Sequence, residues 1–107
     1  MTAKDFLAAN SVLAERARLA IMAILAAADE PVDFSSLLEK LELSKGNLSS
    51  HVRKLEEAKL LRVHKEFVDR KPRTTFECTA LGRRELRDYL SRLEAMLSAA
   101  RADSGGQ

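Results

Sequence analysis

The feature that most restricts this chain is a pair of short oxygen-bearing residues, Asp33 and Ser44, each placed to start a helix with little chain between them. Such a side chain accepts from the unpaired amides of a helix's opening turn, so both read as N-caps. Behind Asp33, Phe34, Leu37, Leu38 and Leu41 form one apolar stripe. Behind Ser44, Leu48, Val52 and Leu55 form another, on a helix reaching to about Ala58. Two short helices therefore meet across a turn of about three residues. Upstream, Asp29, Glu30 and Pro31 end an earlier helix, because proline disfavours helical geometry in the residue before it. That earlier helix is capped at Asn10 or Ser11, has Glu15 near the positive end of its dipole, and carries Leu13, Ala17, Ile21, Ile24 and Ala28 at helical spacing. Leu19, Met22, Ala23 and Ala26 fall on its opposite face, so its second half needs cover on two sides. A small domain is not expected to supply both covers, which suggests a subunit interface.

After Lys59 the pattern changes. Leu60 to Val68 interleaves β-branched and aromatic residues with charge, as a half-exposed strand requires, and a second strand runs from about Thr74 to Cys78. Asp69, Arg70, Lys71, Pro72 and Arg73 form the polar tip between them. Thr79 then caps a long last helix in which Leu86, Tyr89, Leu90, Leu93, Met96 and Leu97 recur by threes and fours, a narrow seam suited to a second helix. The expected architecture is mainly α with a small β-hairpin, an α+β chain with one domain over residues 1–100. Residues 101–107 read as a polar, glycine-ended disordered tail.

The net charge of +2 spread over 107 residues does not by itself announce a polyanionic partner. Position does: from Ser44 to Arg73 there are nine Lys and Arg against four Asp and Glu, a balance of +5 that leaves −3 for the rest. With Leu48, Val52 and Leu55 turned inward, the helix after Ser44 presents Gly46, Ser50, Arg53 and Glu57 outward, flanked by Lys45, Asn47, Ser49 and Lys54. A helix entering a major groove needs small residues where its backbone approaches, side chains that reach base edges, and cations for phosphates. Ser44 and this outer surface supply those types, with Arg53 suited to guanine. Arg70, Lys71 and Arg73, with Thr74 beside them and Lys65 on the preceding strand, cluster like charges on the hairpin at a cost that a polyanion would offset. His51, beside the buried stripe, reads as a semi-buried structural residue.

Other functions find less support. One cysteine, Cys78, and two isolated histidines make no metal-ligand cluster, and there is no glycine-rich phosphate loop or nucleophile-and-base pairing, so neither metal, cofactor nor catalysis is expected. The longest apolar run, Leu19 to Ala28, is shorter than the ~20 residues of a membrane span, and the start of the chain does not resemble a secretion signal. The expected setting is the cytoplasm. Few aromatics argue against RNA, leaving a protein-interaction module without DNA binding as the alternative to a DNA-binding one. No constellation of polar residues points to a small-molecule effector.

The segments Arg18-Leu19-Ala20-Ile21, Leu43 to Glu56, Arg70-Lys71-Pro72-Arg73-Thr74 and Thr79-Ala80-Leu81-Gly82-Arg83 together resemble the winged helix-turn-helix domains of prokaryotic regulators related to the MarR and ArsR groups, in their short stand-alone form. The resemblance covers Asn10 to Leu97. It implies a homodimer joined by N- and C-terminal dimerisation helices, reading a near-palindromic duplex site and regulating transcription, as a repressor in the favoured reading. Leu13, Leu19 and Met22 in the first helix and Leu86, Tyr89, Leu90, Leu93, Met96 and Leu97 in the last are the expected interface. Lys59 stands where many relatives have glycine, which puts the turn out of the recognition helix in question.

Overall fold

The computed structural model describes residues 3–105, with side chains described through Ala102. The order of elements is α1 (Ala3–Leu7), a 3-10 turn (Ser11–Ala14), α2 (Arg16–Ala27), β1 (Val32–Asp33), α3 (Phe34–Leu41), α4 (Lys45–Glu57), β2 (Leu61–Val68), β3 (Lys71–Cys78) and α5 (Ala80–Gly105). No helix among the described residues is long and apolar enough to cross a membrane.

The helix expected from Asn10 is split in two. Asn10 accepts from the Val12 amide at 3.0 Å and starts only the 3-10 turn. The chain then extends at Glu15, whose carboxylate caps α2 through the Arg18 amide at 2.9 Å. Two elements are additional: α1, of five residues, and β1, of two. A period cannot be read over so few positions. β1 pairs with β3 through Val32↔Phe76, so the expected hairpin sits in a three-stranded antiparallel sheet of order β1-β3-β2.

Leu13, Ile21, Met22, Leu25, Leu37, Leu48, Leu55, Leu60, Leu61 and Phe76 are at most 2% exposed and form one core with Val52, Leu86 and Tyr89. This corrects the expected subunit interface. Leu13 and Met22 are fully buried within their own chain, and Leu86 and Tyr89 nearly so. α2 is covered on its second side by the 3-10 turn, α5 and β3, so these four side chains have no area left for a partner. Tyr89 packs edge-on against Phe6 of α1 at 5.3 Å between ring centres. Leu19, Leu93 and Met96 are half-buried, while Leu90 and Leu97 remain exposed at 39% each.

α5 is fastened at its start. The Thr79 hydroxyl donates to the Lys59 and Leu60 carbonyls at 2.7 and 3.1 Å and accepts from the Gly82 amide at 2.9 Å, as the expected cap does. Arg83 donates to the Ala26 carbonyl at the end of α2 at 2.8 Å. The helix runs 26 residues and continues through Gly105, so residues 101–105, expected within a disordered tail, are helical. Residues 106 and 107 of that tail lie outside the described residues.

Candidate nucleic-acid interface

α4 is set on the surface by its two ends. Ser44 caps it, accepting from the Asn47 amide at 3.1 Å. At the far end Ala58 is followed by Lys59 in the left-handed region, φ 63°. The Lys59 amide then reaches the Glu56 carbonyl at 2.8 Å and the Leu60 amide the Leu55 carbonyl at 3.0 Å. These two bonds, with Leu55 and Leu60 both fully buried, make a Schellman ending, the arrangement for which glycine is favoured. Lysine takes the left-handed position here and the fold accommodates it.

With Leu48, Val52 and Leu55 buried, the expected outer residues Lys45, Gly46, Asn47, Ser50, Arg53 and Lys54 are exposed, and Ser49 is half-buried. Space beyond Gly46 is open: an added β-carbon would meet nothing within 4 Å. His51 ties the helix to the body of the domain. Its Nδ1 lies 3.6 Å from the Glu15 carboxylate and 3.4 Å from the Arg18 guanidinium, and Arg18 also donates to the Val12 carbonyl at 2.7 Å. Partial burial pushes the Glu15 carboxyl up, but the backbone amides of Arg18 and Ala17 and the neighbouring His51 and Arg18 outweigh it and hold it below the usual carboxylate range. The anchoring role expected for His51 has this physical form.

The wing is tighter than the sequence suggests. Asp69 and Arg70 both have positive φ, 51° and 66°, so the hairpin closes through these two residues in a primed turn, and Lys71, Pro72 and Arg73 belong to β3. In such a hairpin Val68↔Lys71 closes the ladder and Phe67↔Pro72 falls where neither residue donates across it, which is why proline is accepted.

Strand alternation gives the wing two unlike faces. One continues the core side and carries Lys65, Phe67, Pro72 and Thr74. Lys65 and Thr74 meet Ser49 and Arg53 of α4 around a cleft of about 280 Å³ whose apolar floor includes Phe34, Val52, Val63 and Phe76. The other face is laced with ion pairs. Glu77 accepts from His64 and Arg62 at 2.7 and 3.1 Å, and these two bonds hold its carboxyl below the usual range. Arg73 is turned to this face too, 3.6 Å from Asp33 and 3.8 Å from Glu66. The expected trio of tip cations is thus divided: Arg70 and Lys71 stand at the turn, while Arg73 is drawn back to acids. Among the described residues Lys45, Arg53, Lys54, Lys65, Arg70 and Lys71 form no ion pair.

A model of the winged helix DNA-binding domain matches residues 17–97, spanning α2 through most of α5 and including both α4 and the wing. The chain belongs to the winged helix DNA-binding domain family. An uncharacterized protein of Methanocaldococcus jannaschii is 35% identical over 81 residues, 76% of this chain and 83% of that protein. A transcriptional regulator homologue from Pyrococcus horikoshii superposes with a TM-score of 0.79 at 36% identity, over 85% of this chain and 89% of its own. Two further solved structures share the winged helix fold. One is a PadR family transcriptional regulator from Eggerthella lenta, with a TM-score of 0.65 and 24% identity over 84% of this chain and 86% of that one. The other is the zinc-responsive MarR family member ZitR from Lactococcus lactis, with a TM-score of 0.59 and 20% identity over 86% and 62%. Among the described residues of this winged helix chain, no group of three His, Cys, Asp or Glu side chains could hold a metal ion.

Sequence reasoning missed one exposed residue of the wing. Phe67 is 77% exposed, although the alternation of Leu61, Val63 and Lys65 already placed it on the core-side face.

Proposed function

We propose that this winged helix protein is a dimeric transcription regulator that lays α4 in the major groove of duplex DNA and its wing along the flanking minor groove or phosphates. The observation that carries this reading is the set of cations shared by α4 and the hairpin that form no ion pair among the described residues, on a chain whose net charge is only +2. Arg53 reads a base edge, Ser49, Ser50 and Asn47 contact bases or phosphates, and Ser44, Lys45, Gly46 and Lys54 seat the helix. Lys65 and Thr74 on one face of the wing and Arg70 and Lys71 at its tip hold the backbone beside it, and Arg73 supports them from the face it shares with Lys71.

A second copy is expected to join through the outer half of α5, where Leu90 and Leu97 are exposed one heptad apart with Leu93 and Met96 between them. Two-fold pairing of the subunits calls for a near-palindromic site, and occupation of a promoter in this way excludes polymerase, so the regulatory outcome is repression.

Selection from a randomised duplex pool at two salt concentrations tests the proposal. The expected result is a two-fold motif with half-sites about one helical turn apart and affinity that falls steeply with salt. Salt-sensitive binding without enrichment would replace sequence reading by architectural binding. No retention at either salt would favour a protein-interaction module.

A further inference from the structure

Along β2 the core-side positions run Leu61, Val63, Lys65 and Phe67, and along β3 Cys78, Phe76, Thr74 and Pro72. Cover fails outward along this face: Leu61 and Phe76 are buried, Val63 and Thr74 half-buried, and Phe67 is 77% exposed beside exposed Pro72. The apolar period thus continues beyond the domain's own packing. Its cross-strand neighbour is Pro72, and no other ring lies against it among the described residues. Lys65 stands on the same face, Arg70 with Asp69 forms the turn, and Lys71 opens β3 on the other face; the three cations form no ion pair among the described residues. The face it shares is the one that meets Ser49 and Arg53 of α4.

We propose that Phe67 is an apolar wedge of the wing that enters the minor groove of bound duplex DNA, lies against the deoxyribose edges and opens one base step, with Lys65, Arg70 and Lys71 on the phosphates at either side. The proposal rests on the DNA-binding reading and adds a deformation of the duplex to it. An apolar side chain pushed between stacked pairs bends the helix away from it, and the bend wraps more DNA onto the protein. Charge decides between DNA and a second copy as the occupant: Lys65, Arg70 and Lys71 outweigh Asp69 at the tip, and this positive excess repels an identical tip and attracts a polyanion.

The test compares wild type, Phe67→Ala, Phe67→Leu and Lys71→Ala on a duplex recovered from a randomised pool, labelled with a donor and an acceptor dye at its two ends. Affinity and energy transfer are read across a potassium chloride series. Phe67 neutralises no phosphate, so Phe67→Ala is expected to weaken binding about tenfold at every salt concentration with an unchanged slope, and to lower the energy transfer of the complex. Phe67→Leu keeps most of both. Lys71→Ala is expected to reduce the slope by about 0.9. A Phe67→Ala protein with wild-type affinity and transfer overturns the wedge and leaves the DNA-binding reading intact, whereas wild type failing to hold any duplex overturns both. DNA-free sedimentation in which Phe67→Ala breaks up an oligomer would also overturn the wedge, by assigning the ring to a second copy.

Discussion

The backbone carbonyl of Leu60 lies 2.0 Å from the point where a β-carbon on Gly82 would stand. The first turn of α5 is therefore pressed onto the chain leaving α4 more closely than any side chain permits. Gly82→Ala must push these segments apart, and the Met22 methyl at 2.9 Å closes the way out. The expected cost is about 3 kcal/mol or more, read as a fall in the urea midpoint.

Gly46 offers the opposite case, since nothing stands within 4 Å of an added β-carbon. Gly46 is the second residue of α4, where alanine keeps part of the ~1 kcal/mol advantage it has over glycine in a helix interior, so Gly46→Ala should raise the melting temperature slightly. The same methyl occupies the surface assigned to DNA. A more stable variant that binds duplex less tightly is the expected pair of results, and unchanged affinity would move the groove-facing surface away from this turn.

Lys59 holds a left-handed conformation between Ala58 and Leu60. Glycine removes the steric cost of that geometry, so Lys59→Gly is expected to stabilise the domain by about 1 kcal/mol in equilibrium denaturation, with the Leu55 and Leu60 packing unchanged.

Asp33 caps α3 through the Ser36 amide at 2.7 Å, and its bonds to the Ser36 backbone and hydroxyl, aided by Arg73, hold its carboxyl below the usual value. A depressed folded value contributes stability that is complete above the unfolded pKa, about 3.9, and is lost as pH falls through the folded one. Asp33→Ala should cost about 1 kcal/mol at pH 7. Its difference from wild type is expected to narrow below about pH 4. Asp33→Asn, which keeps an acceptor, should lose less at neutral pH.

Charging the exposed seam tests the dimer without disturbing the core. Leu97 is 39% exposed, so Leu97→Glu should melt close to wild type yet sediment at half the mass. Leu93 lies half-buried against the core, and a charge there would confuse unfolding with dissociation.

Helices α3, α4 and α5 were legible because their caps are side chains: Asp33, Ser44 and Thr79 each take the bond their chemistry suits. The strands were legible from alternation. What escaped depends on contacts between distant segments. Burial of Met22 under α5, the pull of Asp33 on Arg73, and β1, which exists only through its pairing with Phe76 and Thr75, have no local pattern to betray them. The outward placement of Lys45, Gly46, Asn47, Ser50, Arg53 and Lys54 on α4 was legible from the helical period, but the two faces of the wing were not, since one residue more or less at the tip moves Arg73 from one side to the other.

The bonds from Thr79 to Leu60 tie the root of α5 directly to the exit of α4. A rod of 26 residues is about 39 Å long, so a tilt of ten degrees at its root displaces its far end by about 7 Å. If two subunits pair through Leu90 and Leu97 as proposed, that root works as a set calliper: the bonds made by one threonine would fix how far apart the two α4 helices stand.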